Sequence, residues 1–281
     1  MEIIKSIRQM QGIIRRIKKT GKTVGFVPTM GALHEGHLSL VHRARKDNDI
    51  IVVSIFVNPI QFGPDEDFSC YPRPIKQDTT FCLKEKVDFL FFPPAKKIYP
   101  ADFKTYIEVE ELSKVLCGAQ RRGHFRGVAT VVCKLLNIVQ PDSVYFGQKD
   151  AQQAIIIGQM VKDLNMPVKV RVMPIVRHDN GLALSSRNVY MDQEERQAAP
   201  SLSLALGLAR GLIKSGEKES RIIIGKMRQF LQSKNKIRVE YIAIVDLDSL
   251  KSVEKVAGKC LIALAVHIGK TRLIDNIIVG K

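Results

Sequence analysis

Apolar residues recur in steps of three and four at the start of the chain, at Ile3, Ile4, Ile7, Met10, Ile13, Ile14 and Ile17. That spacing predicts an amphipathic helix running to about Thr20, with Gly21 as its stop. The period then changes. Residues 23–28 form a short apolar run, and 36–46 return to helical spacing. Ile50-Ile51-Val52-Val53-Ser54-Ile55-Phe56-Val57 is almost continuous in β-formers. Such a run suits a parallel strand covered on both faces, where alternation is lost. Helical spacing over 75–86 leads to an apolar stretch at 87–92 that stops at Pro93-Pro94. Helices over 125–139 and 150–164 are each followed by a strand, at 143–146 and 168–172. Strands alternating with helices imply βαβ units, so the fold class is α/β: a doubly wound, Rossmann-like parallel sheet over residues 1–176. Ligands of such sheets bind beyond the carboxyl ends of the strands.

Beyond Val176 the order changes. Residues 192–214 have helical character, with Pro200 placed to break or restart the helix. Strand-like runs follow at 239–245 and 260–266, and a final strand is expected at 276–279. These predict a smaller C-terminal α+β domain over residues 177–281.

Length and composition agree with two globular domains. The chain has 281 residues, 45% of them hydrophobic and 26% charged, so a core can form without disulfides or a structural metal. Its five cysteines include no C-x-x-C pair, and an odd number argues against a disulfide framework. Reduced thiols in a cytoplasmic protein fit best. No apolar run is long enough for a membrane span, and the N-terminus lacks a leader's apolar core. The formal net charge is +16. The positive residues are dispersed, with no block of like charge and no basic stretch interleaved with aromatics, so the charge favours anionic small molecules over nucleic acid. Gly269-Lys270-Thr271 fails as a phosphate loop because Leu264 stands where its first glycine is required. No G-x-G-x-x-G occurs.

One segment carries chemistry. Pro28-Thr29-Met30-Gly31-Ala32-Leu33-His34-Glu35-Gly36-His37 follows a predicted strand and opens a predicted helix. Two histidines three residues apart share one face of a turn, and the helix start presents free N–H groups and a positive dipole end to an anion. Imidazoles there can donate hydrogen bonds to phosphate. Asn58 and Gln61 lie just past the strongest strand, where amides are poor core residues. Gly147-Gln148-Lys149-Asp150 joins a strand to a helix; Lys149 offers a point charge for phosphate, and Asp150 suits either a helix cap or a nucleotide contact. Leu184-Ser185-Ser186-Arg187 follows the turn signal Asp179-Asn180-Gly181 and combines two hydroxyls with a guanidinium.

The first of these segments resembles the H-x-G-H signature of the nucleotidyltransferase superfamily. Together with Ser54–Phe62, Tyr71-Pro72-Arg73, Gly123–Val128, Phe146–Asp150, Leu184–Asn188 and Thr271–Asn276, it resembles the pantothenate synthetase family in order and across almost the whole chain. The resemblance implies an ATP-dependent ligase that converts pantoate into pantoyl-adenylate and passes the acyl group to β-alanine. It implies ATP contacts at Met30, Gly31, Ala32, Leu33, His34, Glu35, Gly36 and His37. Further ATP contacts are implied at Gly147, Gln148, Lys149, Asp150, Val176, Leu184, Ser185, Ser186 and Arg187. His37, His34, Lys149 and Arg187 would be catalytic. Gln61 would bind pantoate and β-alanine, with Gln153 and Asn58 as further substrate ligands, and Arg121 and His124 near the site. Mg2+ is expected with ATP. Asp78 matches a carboxylate near the metal, although Gln77 stands where a second acid is expected, and Arg122 replaces an expected proline. A homodimer, a C-terminal domain that closes over the site, and no nucleic-acid or membrane partner complete the expectation. The alternatives are another adenylate-forming enzyme of the same fold, such as a truncated class I aminoacyl-tRNA synthetase, and a basic nucleic-acid-binding protein.

Overall fold

The computed structural model describes residues 1–64 and 66–280. The chain divides into two compact units: Met1–Lys114, Gly118–Gly147 and Gln152–Pro174 form the first, and Val115–Cys117, Gln148–Ala151 and Ile175–Lys281 the second.

The first unit contains β1 (Glu2–Ile4), α1 (Ile7–Lys19), β2 (Val24–Thr29), α2 (Glu35–Asp47), β3 (Ile50–Ile55), α3 (Ile75–Lys84) and β4 (Phe89–Phe91). After the short helices α4 (Ala95–Ile98) and α5 (Cys117–Gln120) come α6 (His124–Val139), β5 (Ser143–Gly147), α7 (Ala151–Asp163) and β6 (Lys169–Met173). All the strand pairs are parallel, in the order β1-β4-β3-β2-β5-β6. The chain leaves β2 toward β3 on one side and later returns to place β5 on the other. The doubly wound switch point therefore lies at the carboxyl end of β2, where a crevice opens between connections that diverge. β2 and β3 are buried along almost their whole length, as the continuous apolar run required.

The opening helix needs correction. Residues 2–4 are a strand, not a helical turn. Ile4 is fully buried in register with Phe91, and its carbonyl accepts from the Phe92 N–H at 2.8 Å. Ile3 is 45% exposed, so it is no part of the helical stripe. The helix begins only after Ser6, whose hydroxyl caps the Gln9 N–H.

In the second unit β7 (Ile237–Asp246), β8 (Cys260–Ile268) and β9 (Thr271–Val279) form an antiparallel sheet in that order. It packs on α9 (Ser201–Lys214) and α10 (Ser220–Gln232) through Leu202, Leu206, Ile223, Met227 and Leu264. The expected long helix is divided at Pro200 into α8 (Gln193–Ala198) and α9. Its start is a capping box between Asp192 and Glu195. The last strand begins five residues earlier than expected, at Thr271. Gly269-Lys270 forms the hairpin turn, with Gly269 at a φ of 55°.

Each unit holds a half-buried glutamate–arginine pair. Arg121 donates to both oxygens of Glu66, at 2.7 and 2.5 Å, and Arg272 grips Glu240 at 2.9 and 2.8 Å. Burial alone would raise both carboxyls, but the hydrogen bonds and charge of each arginine outweigh it and hold them below their ordinary range. A depressed folded pKa contributes stability that is complete above the unfolded value, near about 4.3, and is lost as pH falls through the folded value. The melting temperature is therefore expected to stay level from neutral pH down to about 5 and to fall below about 4. Glu240→Gln should make that fall shallower; an unchanged slope in thermal melts of this variant would contradict the assignment.

Candidate active site

The carboxyl end of β2 turns sharply. Gly31 has a φ of +84° and Ala32 of 51°, and a Cβ on Gly31 would stand 2.9 Å from an Asp78 oxygen. Glycine is the residue that meets both demands. The Thr29 hydroxyl donates to the Ser54 carbonyl at 2.7 Å and accepts from the Gly31 N–H at 3.1 Å. Asp78, on α3 and only 1% exposed, accepts from the Ala32 and Leu33 N–H groups at 2.9 and 2.8 Å. Burial pushes its carboxyl above the ordinary value, and these two bonds pull it partly back. The amides of Ala32 and Leu33 thus point at Asp78, and any contact they make with a ligand must use other atoms.

That turn delivers His34 and His37. His34 is the N-cap of α2, and its Nδ1 accepts from the Gly36 N–H at 3.1 Å. A neutral His34 therefore carries its proton on Nε2, where it can donate. The His37 ring lies 4.2 Å from that of His34, centroid to centroid, at 41°. Glu35 is exposed in the first turn, while Met30, Gly36 and His37 are half-buried.

Gln61 ends a single 3-10 turn, Pro59–Gln61, beyond β3. Its amide is oriented by a chain of bonds with one possible polarity. The Gly127 carbonyl can only accept, so the Asn58 atom 3.0 Å away is Nδ2. The second Asn58 Nδ2 hydrogen goes to Gln61 Oε1 at 3.0 Å. Asn58 Oδ1 then accepts from the Tyr99 hydroxyl at 2.9 Å; burial pushes that phenol up, so it stays a neutral donor. Gln61 Nε2 is left facing the Met30 sulfur at 3.1 Å, a weak acceptor that a better one can displace. His124 holds the other side. Arg121 can only donate to His124 Nε2, at 2.9 Å, so Nδ1–H donates to the Gln61 carbonyl at 2.8 Å.

This revises the reading of Asn58. It is not the poor core residue that its place past a strand suggests: it is 1% exposed, with Nδ2 and Oδ1 both bonded to protein. Tyr99, Gly127 and Glu66 belong to the same construction, and sequence reasoning misses their roles. Gly127 lies inside the Gly123–Val128 motif, the one signal that could have found it.

In the second unit Gln148–Asp150 forms a single 3-10 turn ahead of α7. Lys149 Nζ lies 3.5 Å from Asp150 Oδ1, and the Gln148 side chain donates to Asn276 at 3.2 Å. A Cβ on Gly147 would meet no atom within 4 Å. Val176 and Leu184 are brought together as the two arms of a hairpin, Leu184 N–H to Val176 carbonyl at 3.0 Å. Ser185 Oγ accepts from the Arg187 N–H at 3.3 Å and caps the 3-10 turn Ser186–Tyr190. Gln153, on α7 in the first unit, lies half-buried.

The pantoate-beta-alanine ligase family profile matches residues 2–278. The chain belongs to that family. It is 53% identical to the pantothenate synthetase of Pseudothermotoga lettingae over 281 residues, covering 100% of both chains. It is 54% identical to that of a Sulfurihydrogenibium species over 278 residues, 99% of each. The crystal structure of the pantothenate synthetase from Thermus thermophilus superposes with a TM-score of 0.95 at 41% identity, covering all of both chains. The Francisella tularensis pantoate–β-alanine ligase, complexed with a β,γ-ATP compound and β-alanine, matches with a TM-score of 0.81 at 37% identity, covering 99% and 97%. These agree with the α/β architecture, a six-stranded parallel sheet with a small antiparallel sheet after it.

Asp78 is 1% exposed and each of its oxygens accepts one backbone N–H group, so its carboxylate fastens the turn over residues 30–37. Among the described residues no group of three or more His, Cys, Asp or Glu side chains is arranged to hold a metal. None of the five cysteines is in a disulfide, and burial pushes the Cys82 thiol up to about 12, so it is an inert core group. Among the described residues no helix is long and apolar enough to cross a membrane.

Proposed function

We propose that the chain condenses pantoate with β-alanine, driven by cleavage of ATP. The pantoate carboxylate attacks the α-phosphorus of ATP and displaces pyrophosphate, giving pantoyl-adenylate. The β-alanine amine then attacks the acyl carbon, and AMP leaves with the electrons of the broken C–O bond. Neither step requires a protein nucleophile. Both require alignment and stabilisation of charge on phosphate.

The observation that carries this reading is the fixed amide of Gln61 beside Met30, at the start of the His34–His37 turn. An amide with one allowed polarity, whose Nε2 faces the Met30 thioether, is a donor prepared for a carboxylate or hydroxyl. We assign pantoate, and then β-alanine, to Gln61, with Gln153 as a second pantoate ligand. Asn58 serves as the support of Gln61. His34 and His37 donate to the phosphates as pyrophosphate leaves. Lys149 supplies a point charge and Arg187 a guanidinium to the triphosphate. The turn over 30–37, the Gly147–Asp150 segment, Val176 and Leu184-Ser185-Ser186 complete the nucleotide contacts. Mg2+ enters on the triphosphate as part of the substrate, held by phosphate oxygens and water. By resemblance to the family the enzyme works as a homodimer in the cytoplasm, and cysteines outside any disulfide fit that compartment.

The test is incubation of purified protein with ATP, Mg2+ and pantoate, with and without β-alanine, followed by mass spectrometry. AMP and pantothenate should appear together only in the complete mixture, and enzyme-bound pantoyl-adenylate when β-alanine is omitted. If folded protein that binds ATP makes neither product, the substrate pair is wrong. If ATP does not bind either, the enzymatic reading fails.

A further inference from the structure

β9 buries two consecutive polar residues, one on each of its faces. Its odd-numbered residues Leu273, Ile277 and Val279 belong to the core of the second unit. Asp275 falls in the same row and is 2% exposed. On the other face Ile278 is 39% exposed, yet Asn276 is 3% exposed. Burying a carboxylate or an amide costs free energy unless protein groups replace the lost water. Asn276 finds such groups on the Gln148–Lys149 segment assigned above to the nucleotide, and Asp275 on Arg177, next to Val176. Successive strand residues address opposite faces, so one edge strand can reach two segments.

Asn276 Nδ2 donates to the carbonyls of Gln148 and Lys149 at 2.9 and 3.0 Å. Its Oδ1 accepts from Gln148 Nε2 at 3.2 Å. The carbonyls can only accept, so the amide has one possible orientation. No peptide bond among the described residues is cis, and in a trans peptide the C=O and the following N–H point in opposite directions. Holding these two carbonyls therefore aims the N–H groups of Lys149 and Asp150 away from β9, as a pair. Asp275 acts on the other segment. Arg177 donates to its two oxygens at 2.6 and 2.8 Å and also to the Gly181 carbonyl at 3.0 Å. Arg177 pairs with Ala183 across the hairpin. Asp275 thus fastens the base of the hairpin from which Leu184–Arg187 emerges.

We propose that Asp275 and Asn276 are positioning residues for adenylation, and that one strand sets the two segments which hold the triphosphate. This rests on the reading of Gln148–Asp150 and Leu184–Arg187 as nucleotide contacts. The Thr271–Asn276 motif then has a role of its own, which is to place phosphate donors without touching phosphate.

Two variants read the clasp from its two ends. Asn276→Asp keeps the volume, removes both donors and sets a charge against two carbonyls. Gln148→Leu removes the reciprocal bond from the partly exposed side. In pantoate-dependent ATP–pyrophosphate exchange, the KM for ATP should rise about tenfold in Asn276→Asp and about threefold in Gln148→Leu. The KM for pantoate should stay within about twofold in both. A folded Asn276→Asp protein with the wild-type KM for ATP would overturn the proposal. So would a parallel rise of both KM values, which marks general loosening. Should Asn276→Asp not fold, Asn276→Ser, which keeps a single donor, is read by the same criterion. If wild-type protein shows no pantoate-dependent exchange, the functional reading has failed instead, and calorimetric ATP binding by the two variants still tests the clasp.

Discussion

Replacing His37 with alanine is expected to slow pantoate-dependent ATP–pyrophosphate exchange by about 10²–10³-fold, with the fold retained. The magnitude is that of removing one preorganised donor from a site where charge develops. His37 sits in the first turn of α2, its N–H bonded to the His34 carbonyl at 2.7 Å. The helix dipole and the paired imidazole already favour negative charge there. Its ring is half-buried and is no part of the sheet core, so its loss should leave the melting temperature nearly unchanged. His34 offers an internal contrast, because its Nδ1 is the helix cap. His34→Ala should lose the cap as well as the donor, at about 1 kcal/mol of stability. His34→Asn should restore the cap and leave the exchange defect in place. Lys149→Ala removes a phosphate charge and should show the same loss of exchange as His37→Ala. Wild-type turnover in both His37→Ala and Lys149→Ala would remove the site assignment altogether.

What is legible in the sequence follows from how local each signal is. The run from Ile50 to Ile55 reads as a buried parallel strand because its apolar continuity needs no knowledge of its neighbours. The His34–Gly36–His37 turn can be placed because a strand precedes it and a helix follows it. β1 cannot be read that way, since a strand of three residues is defined by pairing with Phe89–Phe91, far along the chain. α10 escapes the pattern although Ile223, Met227 and Leu231 keep helical spacing and are fully buried; the polar residues between them hide the stripe. Asn58 misleads for a physical reason. An amide past an apolar strand looks like a poor core residue until Gly127, Tyr99 and Gln61 are seen to satisfy it. Asp275 and Asn276 are visible as letters of a family motif, but their partners Arg177, Gln148 and Lys149 are remote in sequence. Resemblance finds the motif, and only coordinates give its chemistry.

Gly127→Ala tests the construction around Gln61 most severely. The position lies in α6, where alanine is ordinarily the better residue by about 1 kcal/mol. Here a Cβ would stand 2.5 Å from the Ile60 carbonyl oxygen and 2.7 and 2.8 Å from the Gln61 Cα and N. These are backbone atoms, which cannot rotate away as a side chain does, so the 3-10 turn itself must move. The Gly127 carbonyl also sets the polarity of Asn58, and through it that of Gln61. A displacement approaching about 1 Å in a positioned ligand costs about 10²-fold in rate. The expected result is a fall of about 10²-fold in kcat/KM for pantoate, with a stability loss of about 1–3 kcal/mol from overpacking. Gly225 in α10 supplies the comparison. A Cβ there would meet no atom within 4 Å, so Gly225→Ala should keep full activity and gain up to about 1 kcal/mol. Steady-state kinetics and urea unfolding of the two alanine variants separate the explanations. If Gly127→Ala keeps the wild-type kcat/KM for pantoate, the turn accommodates the methyl group, and Gln61 is not held where its partners place it.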